Sequence, residues 1–519
     1  MSDIGLVVLL LGIVIALTGV SRRLALSTPI VMVLGGLLLS FVPQVPSVEL
    51  SPDIVFLGFL PPLLFAGGYF TSLREFKANL RAIILLAFGL VLFTAGTVAF
   101  VSHALVPVLG WAGAFALGGI VAPPDAIAAT AIFQRLGVPR RIVAILEGES
   151  LVNDATALVI YRFAVVAAAV GSFSLADATG SFVFALLGGA VIGLALGFVL
   201  DRLAERISET ALIVAITLIA PYVAYLPAEA LGASGVIAAV VAGAFTRHAI
   251  RHASSDARVV GEAVWQIWLF LLNGLVFFLL GLQLRTVIRQ VDLTPDTIIA
   301  TVAIVLAVVL SRFIWAFPGT YLPRLLPRVR DEPRPPVRGV VVVAWSGLRG
   351  VVSLAAALAL PIGFPGRDLI LFITFTVILV TLVGQGLTLP FVIRALGLAP
   401  DQDLAHAEAH ARALTAEAAL DRIEELAEQR PGHKELIDAL RTQYEYRTKH
   451  AEAHHDAEPD VAQKEELEHA QIRRELIEAE RRAASELHER GVIDDEILRR
   501  IERDLDLEEL RMEARTGPV

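Results

Sequence analysis

Long apolar runs recur from the start of the chain to about residue 396, separated by short polar links, and the pattern then stops. A helix needs ~20 mostly apolar residues to cross the hydrocarbon of a bilayer, and about thirteen runs approach that length. They lie at 4–20, 28–43, 53–71, 82–105, 111–134, 142–170, 180–200, 210–227, 229–246, 260–283, 296–318, 339–361 and 367–394. The runs are apolar all round, without the alternation of short strands that a membrane barrel shows. The pattern predicts an all-α, polytopic membrane domain over residues 1–398. The opening MSDIGLVVLL has no basic stretch ahead of its apolar residues, so this run is expected to stay as a membrane helix. The eighth and ninth runs are short, and their boundary is set at Pro227.

Basic residues gather in every second link. They are Arg22 and Arg23, then Arg74, Lys77 and Arg81, then Arg135, Arg140 and Arg141. Arg202 and Arg206 follow the seventh run, Arg247, Arg251 and Arg258 the ninth, and Arg324, Arg328, Arg330, Arg334 and Arg338 the eleventh. The intervening links hold little besides Arg285, Arg289 and Arg367. Positive charge marks the cytoplasmic side of short loops. The alternation therefore predicts an outside N-terminus in the inner (plasma) membrane and a cytoplasmic C-terminus. An odd number of spans also fits two inverted repeats of about six helices each, joined by the seventh, although no sequence repeat accompanies it.

Residues 399–519 are a different material, rich in charge: EAALDRIEELAEQR, then KEELEHAQIRRELIEAERRAASELHER. Ile493, Ile497, Ile501 and Leu505 recur every fourth residue, which predicts an amphipathic helix within a helical cytoplasmic tail. The net charge of −9 averages over two unlike parts, with charge scarce before Leu398 and dense after it, while the chain as a whole is 56% hydrophobic. His406, His410, His433, His450, His454, His455, His469 and His488 all lie in it. Histidine titrates near neutral pH, which suits a regulatory tail, but ordinary solvated helices are the plainer reading. No nucleotide-binding glycine loop and no HExxH site occurs in the tail. The chain has no Cys, which excludes disulfides and thiolate metal sites. No cofactor and no nucleic-acid partner is expected.

Ionisable side chains inside spans are costly and are functional candidates by default. The fifth run contains Ala122-Pro123-Pro124-Asp125. Two successive prolines remove two backbone donors and break a helix. Its freed carbonyls and exposed helix ends can hold a cation. Asp125 sits at the break; the bland alternative is that it only caps the next helix. The sixth run opens Glu147-Gly148-Glu149-Ser150-Leu151-Val152-Asn153-Asp154. Residues three and four apart share a helix face, so Glu147, Ser150 and Asp154 align, with Glu149 over Asn153 beside them. The first acids suit a solvated helix start, but the long apolar run after Asp154 puts that residue deep. In the twelfth run, Trp345-Ser346-Gly347-Leu348-Arg349-Gly350 buries an arginine, which must pair. Glu149 or Glu147 is its expected partner. Gly347 and Gly350 leave room for close approach to another backbone.

GESLVND at 148–154, LPPLLFAGGYF at 60–70 and WSGLRG at 345–350 resemble the monovalent cation/proton antiporter family of bacterial NhaP-type and animal sodium/proton exchangers. The resemblance covers roughly residues 5–396, and the wording APPDAIAATAIF and NDATALVIYRFA is most similar to the bacterial branch. It implies crossing broken helices, and Asn153 and Asp154 as the ion-binding pair with Asp125 and Ser150 contributing. It implies a structural ion pair between Glu149 and Arg349, and a homodimer. Two departures stand out. Pro124-Asp125-Ala126 replaces the family's Thr-Asp-Pro, so the family's threonine hydroxyl or carbonyl role does not carry over there, and Pro124, like Glu147, is expected at most to support the site. Ala66 stands where relatives carry an acid or polar group.

A hard monovalent cation prefers oxygen ligands, and Asp125, Asp154 and Ser150 supply them for Na+ (or Li+, or K+). The expectation is a secondary antiporter, not an enzyme, in which cation and proton compete for Asp154. With a neutral Asn beside one Asp, exchange is expected to be electroneutral and to proceed by alternating access. Potassium/proton exchange is the nearest alternative. A channel would need a selectivity filter, and none is visible. An intramembrane hydrolase would need the closing glycine that Gly148-Glu149-Ser150-Leu151-Val152 lacks.

Overall fold

The structure, a computed structural model, describes residues 3–24, 26–42, 52, 54–170, 175–207, 209–250, 253–325, 334–398, 402–456, 459–490 and 492–516. Among these residues every regular element is helical. The chain divides into two compact units, Met1–Pro400 and Asp401–Val519.

The first unit begins with α1 (Asp3–Leu24), α2 (Thr28–Ser40) and α3 (Leu60–Phe70), the last entered through a π-helical turn at Ile54–Phe59. Two short helices, Leu73–Ala78 and Leu80–Ile84, lead to a second π-turn at Leu85–Leu90 and to α4 (Val91–Leu105). Next come α5 (Gly110–Val121), α6 (Ala126–Leu136), α7 (Arg140–Val170), α8 (Leu175–Ala204), α9 (Thr210–Ala230) and α10 (Gly235–Ala249). The unit closes with α11 (Ser255–Arg289), α12 (Pro295–Tyr321), α13 (Val337–Trp345), α14 (Val351–Leu358), α15 (Arg367–Leu379) and α16 (Gly386–Ala395). Eight described helical stretches are long and apolar enough to cross a membrane, and Thr28–Ser40, Ile54–Phe70 and Gly235–His248 are shorter apolar helices. Arg251, Arg328 and Arg330, expected in basic links, lie outside the described residues.

Two boundaries differ from expectation. The eighth run does not stop at Pro227: α9 carries Pro221 and Pro227 inside it and ends at Ala230. The stop is Leu231–Ser234, where the Ser234 hydroxyl caps α10 by accepting the Ile237 N–H at 3.2 Å. The twelfth run is not one span but the two short helices α13 and α14, parted at Ser346–Gly350. No proline announces that break.

Packing sorts these helices into two groups. In the first, α2 lies along α11, and α10 lies against α3, α8 and α9. In the second, α5 lies between α4 and α7, α12 lies against α4 and α13, and α6 and α16 pack together. Contacts across the seam, such as α7 on α10 and α11 on α15, are thinner. Water does not drive helices together inside a bilayer, so close van der Waals contact of small residues must. At the α2–α11 contact, a Cβ on Gly36 would stand 2.1 Å from the Phe278 carbonyl oxygen, and one on Gly281 2.2 Å from that of Val33. The α3–α10 contact is built alike: a Cβ on Gly243 would stand 2.0 Å from the Phe65 oxygen. Gly243→Val is therefore expected to destabilise the protein by at least about 1–3 kcal/mol, the usual cost of overpacking. Gly96, with open space around it, provides the control. Thermal unfolding of the detergent-solubilised chain should show a clear drop for Gly243→Val and none for Gly96→Ala.

The second unit holds α17 (Gln402–Gln429), α18 (Lys434–Asp456), α19 (Pro459–Glu489) and α20 (Asp495–Thr516). Arg481 of α19 donates to Asp506 at 2.6 Å and to Glu509 at 3.1 Å on α20, and His488 meets Asp495 at 2.8 Å near the turn. Leu505 is buried between them, while Ile497 is exposed. The side chains of His406, His450, His454, His455 and His469 lie outside the described residues.

Candidate functional site

The two breaks meet. Pro123 and Pro124 cannot donate, so the chain leaves α5 after Val121 and re-enters a helix at Ala126. At the other break, Ser346–Gly350 runs irregularly between α13 and α14. The two irregular stretches bond directly: the Asp125 N–H donates to the Leu348 carbonyl at 2.6 Å.

Each break exposes helix ends, and charged side chains close them. The Asp125 carboxylate accepts the Ile127 N–H at 2.8 Å and so caps α6. It also accepts the Val351 N–H at the start of α14. One carboxylate thus serves two helix N-termini, where the macrodipole favours negative charge. The capping role and the placement at the break are both present. Gly350 makes room: a Cβ there would fall 1.8 Å from an Asp125 carboxylate oxygen. The C-terminal ends carry cations. Arg349 donates through Nε to the Val121 carbonyl at 3.0 Å and through Nη2 to that of Ala122 at 3.4 Å, and also bonds Gly347 O. Arg312 of α12 donates through Nε to the Val343 carbonyl, at the end of α13, at 3.0 Å.

Arg312 also corrects the expected ion pair. Glu149, with 0% exposure, is held by Arg312 in a two-pronged contact at 2.6 and 2.7 Å, not by Arg349. The planar guanidinium matches both carboxylate oxygens at once. Arg349 lies near enough to feel both charges but spends its donors on carbonyls. Its backbone N–H is taken by Thr381 Oγ1 at 3.1 Å, in a π-turn at Val380–Gln385. Arg312, Thr381 and the Leu348 carbonyl are absent from the expected site. A lone arginine inside the apolar run 296–318 is the signal that reveals Arg312.

Around the crossing, α7 presents its polar face. Asn153, with 0% exposure, donates through Nδ2 to the Pro124 carbonyl at 3.0 Å, while its buried Oδ1 has no partner. Ser150 Oγ accepts the Ala126 N–H in a long contact of 3.5 Å. Asp154 is 6% exposed, has Asp125 as its charged neighbour, and carries no hydrogen bond among the described residues. Glu147 lies two turns nearer the start of α7, half-buried, with Arg140 and Glu75 as charged neighbours. It does not join the crossing. Ala66 is buried and has no side-chain oxygen. Among the described residues no three His, Cys, Asp or Glu side chains cluster as a metal site. What the crossing offers is two carboxylates and neutral oxygens, a set suited to a hard monovalent ion.

The chain is similar to known proteins. A protein named as an uncharacterized Na(+)/H(+) exchanger, from Mycobacterium tuberculosis, is 34% identical over 98% of this chain and 96% of its own length. The sodium, potassium, lithium and rubidium/H(+) antiporter of Bacillus subtilis is 36% identical over 75% of this chain and 61% of its own. The fold is similar to that of the sodium proton antiporter MjNhaP1 from Methanocaldococcus jannaschii, with a TM-score of 0.61 at 19% identity, covering 76% of this chain and 98% of that one. The transmembrane sodium/hydrogen exchanger family matches residues 7–395. The chain is a multi-pass membrane protein and belongs to the sodium/hydrogen exchanger family of transporters.

Proposed function

We propose that the protein exchanges Na+ or Li+ for H+ at Asp154, one for one, by alternating access. The observation that carries the reading is the state of Asp154: a deep carboxylate with no hydrogen-bond donor. An isolated buried charge is costly, so the site favours an occupant that neutralises it. A proton does so, and so does a monovalent cation. Asp125, Ser150 Oγ and the unpartnered Oδ1 of Asn153 are the other oxygens in the proposed cation site.

Charge balance supports electroneutral exchange. The crossing gathers the carboxylates of Asp125, Asp154 and Glu149 and the guanidiniums of Arg312 and Arg349. Three negative charges against two positive leave a single charge for one ion or one proton to cancel. A site neutral in either form crosses the low-dielectric barrier at least cost, and an empty one does not. The Bacillus subtilis relative, a sodium, potassium, lithium and rubidium/H(+) antiporter, supports a wider cation range that includes K+. The reading includes a homodimer in the plasma membrane with two inverted repeats, N-terminus outside and residues 399–519 cytoplasmic and regulatory.

The test is proton flux in vesicles reconstituted with the full chain. With an acid lumen, external Na+ or Li+ should drive protons out, without dependence on membrane potential. A response to K+ would widen the substrate range. No cation-driven proton movement from folded protein over a broad pH range would end the antiport reading.

A further inference from the structure

Arg162 on α7 meets Glu229 at the end of α9 in an ion pair of 2.5 Å. The two residues belong to different helix groups. Several long-range polar contacts stay within one group, among them Glu149 with Arg312, Asn153 with the Pro124 carbonyl, and Asp125 N–H with Leu348 O. Within the first group, Arg285 holds the Ser40 carbonyl and Arg247 that of Tyr69 in the same way. The Arg162–Glu229 pair crosses the seam.

Its setting is built. The second carboxylate oxygen of Glu229 accepts the Gly235 N–H at 2.9 Å, which anchors the acid to the start of α10. Gly235 leaves the space this needs, because a Cβ there would stand 2.9 Å from Glu229 Cγ. Arg162 shares its helix with Asp154. The separation of eight residues is about 12 Å along the axis at 1.5 Å per residue. Arg162 lies toward the Val170 end of α7, and the helix begins at Arg140. Asp125 and Ser150 are half-buried, and Ile127 and Gln134 on α6, which runs from Asp125 toward Arg135, are exposed.

We propose that Arg162 and Glu229 form a latch that holds the seam closed at the Val170 end of α7 in one state of the transporter, and that the latch opens once in each transport cycle. The inference rests on the alternating-access reading above. Its energetics suit the task. The side chains are 48% and 26% exposed, and exposed pairs bind weakly enough to open repeatedly. The fully buried Glu149–Arg312 pair could not separate at comparable cost.

The chain has no Cys, so an introduced pair of thiols is unique. In vesicles, the double variant Arg162→Cys with Glu229→Cys would be joined by a short reducible bis-thiosulfonate linker. Joining should abolish cation-driven proton flux, and a reductant should restore it. Each single variant, treated alike, should keep its flux. Linked protein that exchanges as fast as the reduced form would overturn the latch. Inactive wild-type protein in the same vesicles would instead defeat the antiport reading beneath it. Arg162→Gln and Glu229→Gln, made without linker, provide a second measurement. Each should keep exchange but shift the apparent KM for the cation between the two sides by up to about fivefold, the weight of an exposed pair. Unchanged KM on both sides would also count against the latch.

Discussion

Asp154→Asn is expected to reduce cation-driven proton flux to the level of empty vesicles while the chain still folds. The amide has nearly the carboxylate's shape, so packing around residue 154 should hold. It cannot take up a proton at ordinary pH, and it offers a cation no charge to neutralise. Both occupants of the proposed cycle are lost together, which is why the effect should be complete rather than graded. Stability should not fall. Asp154 has no hydrogen-bond donor to lose, and replacing an uncompensated buried charge by a neutral group removes a cost. Asp125→Asn should behave differently, because its amide oxygen can still accept the Ile127 N–H and cap α6. The measurement pairs flux with thermal unfolding of the same preparations. Asp154→Asn protein that exchanges at the wild-type rate would remove the site from Asp154.

Much of this arrangement is legible in the amino-acid sequence, and the failures have physical causes. The apolar runs fall on helices because helix is the one open-ended structure that satisfies its own backbone in lipid. The break at Pro123-Pro124 is legible because proline cannot donate. The break at Ser346–Gly350 is not, because it is held by tertiary bonds: Leu348 O to the Asp125 N–H, and the Arg349 N–H to Thr381. Pro227 misleads in the other direction. A proline forfeits one helical bond, and α9 tolerates that loss among packed neighbours until the chain reaches Leu231. The identity of the partner of Glu149 is a matter of how α12 and α13 cross α7. Both runs hold one deep arginine, and spacing along the chain does not say which guanidinium faces the acid. The two arginines exchange roles accordingly: one is an ion-pair partner, and the other caps the end of α5.

That exchange of roles has a measurable consequence in a double-mutant cycle. Arg312→Ala should destabilise the protein by about 3–5 kcal/mol, because it leaves the fully buried Glu149 carboxylate unpaired. It also frees the Val343 carbonyl. Glu149→Ala should cost a similar amount for the converse reason, since Arg312 is 1% exposed. Replacing both at once with apolar residues of similar volume, Arg312→Met with Glu149→Leu, should recover most of the loss, as buried pairs add little net stability over well-packed apolar groups. Glu149 and Arg349 should couple far less, at the level of about 1 kcal/mol or below, because no ion pair joins them and Arg349 acts on carbonyls. Thermal or denaturant unfolding of the solubilised chain measures all four corners of each cycle. A larger coupling for Glu149 with Arg349 than with Arg312 would reverse the assignment. The predicted order instead separates two functions within one cluster. Glu149 and Arg312 tie α7 to α12 and hold the second helix group together. Arg349 and Asp125 hold the ends of the broken helices beside Asp154, where the proposed ion site lies.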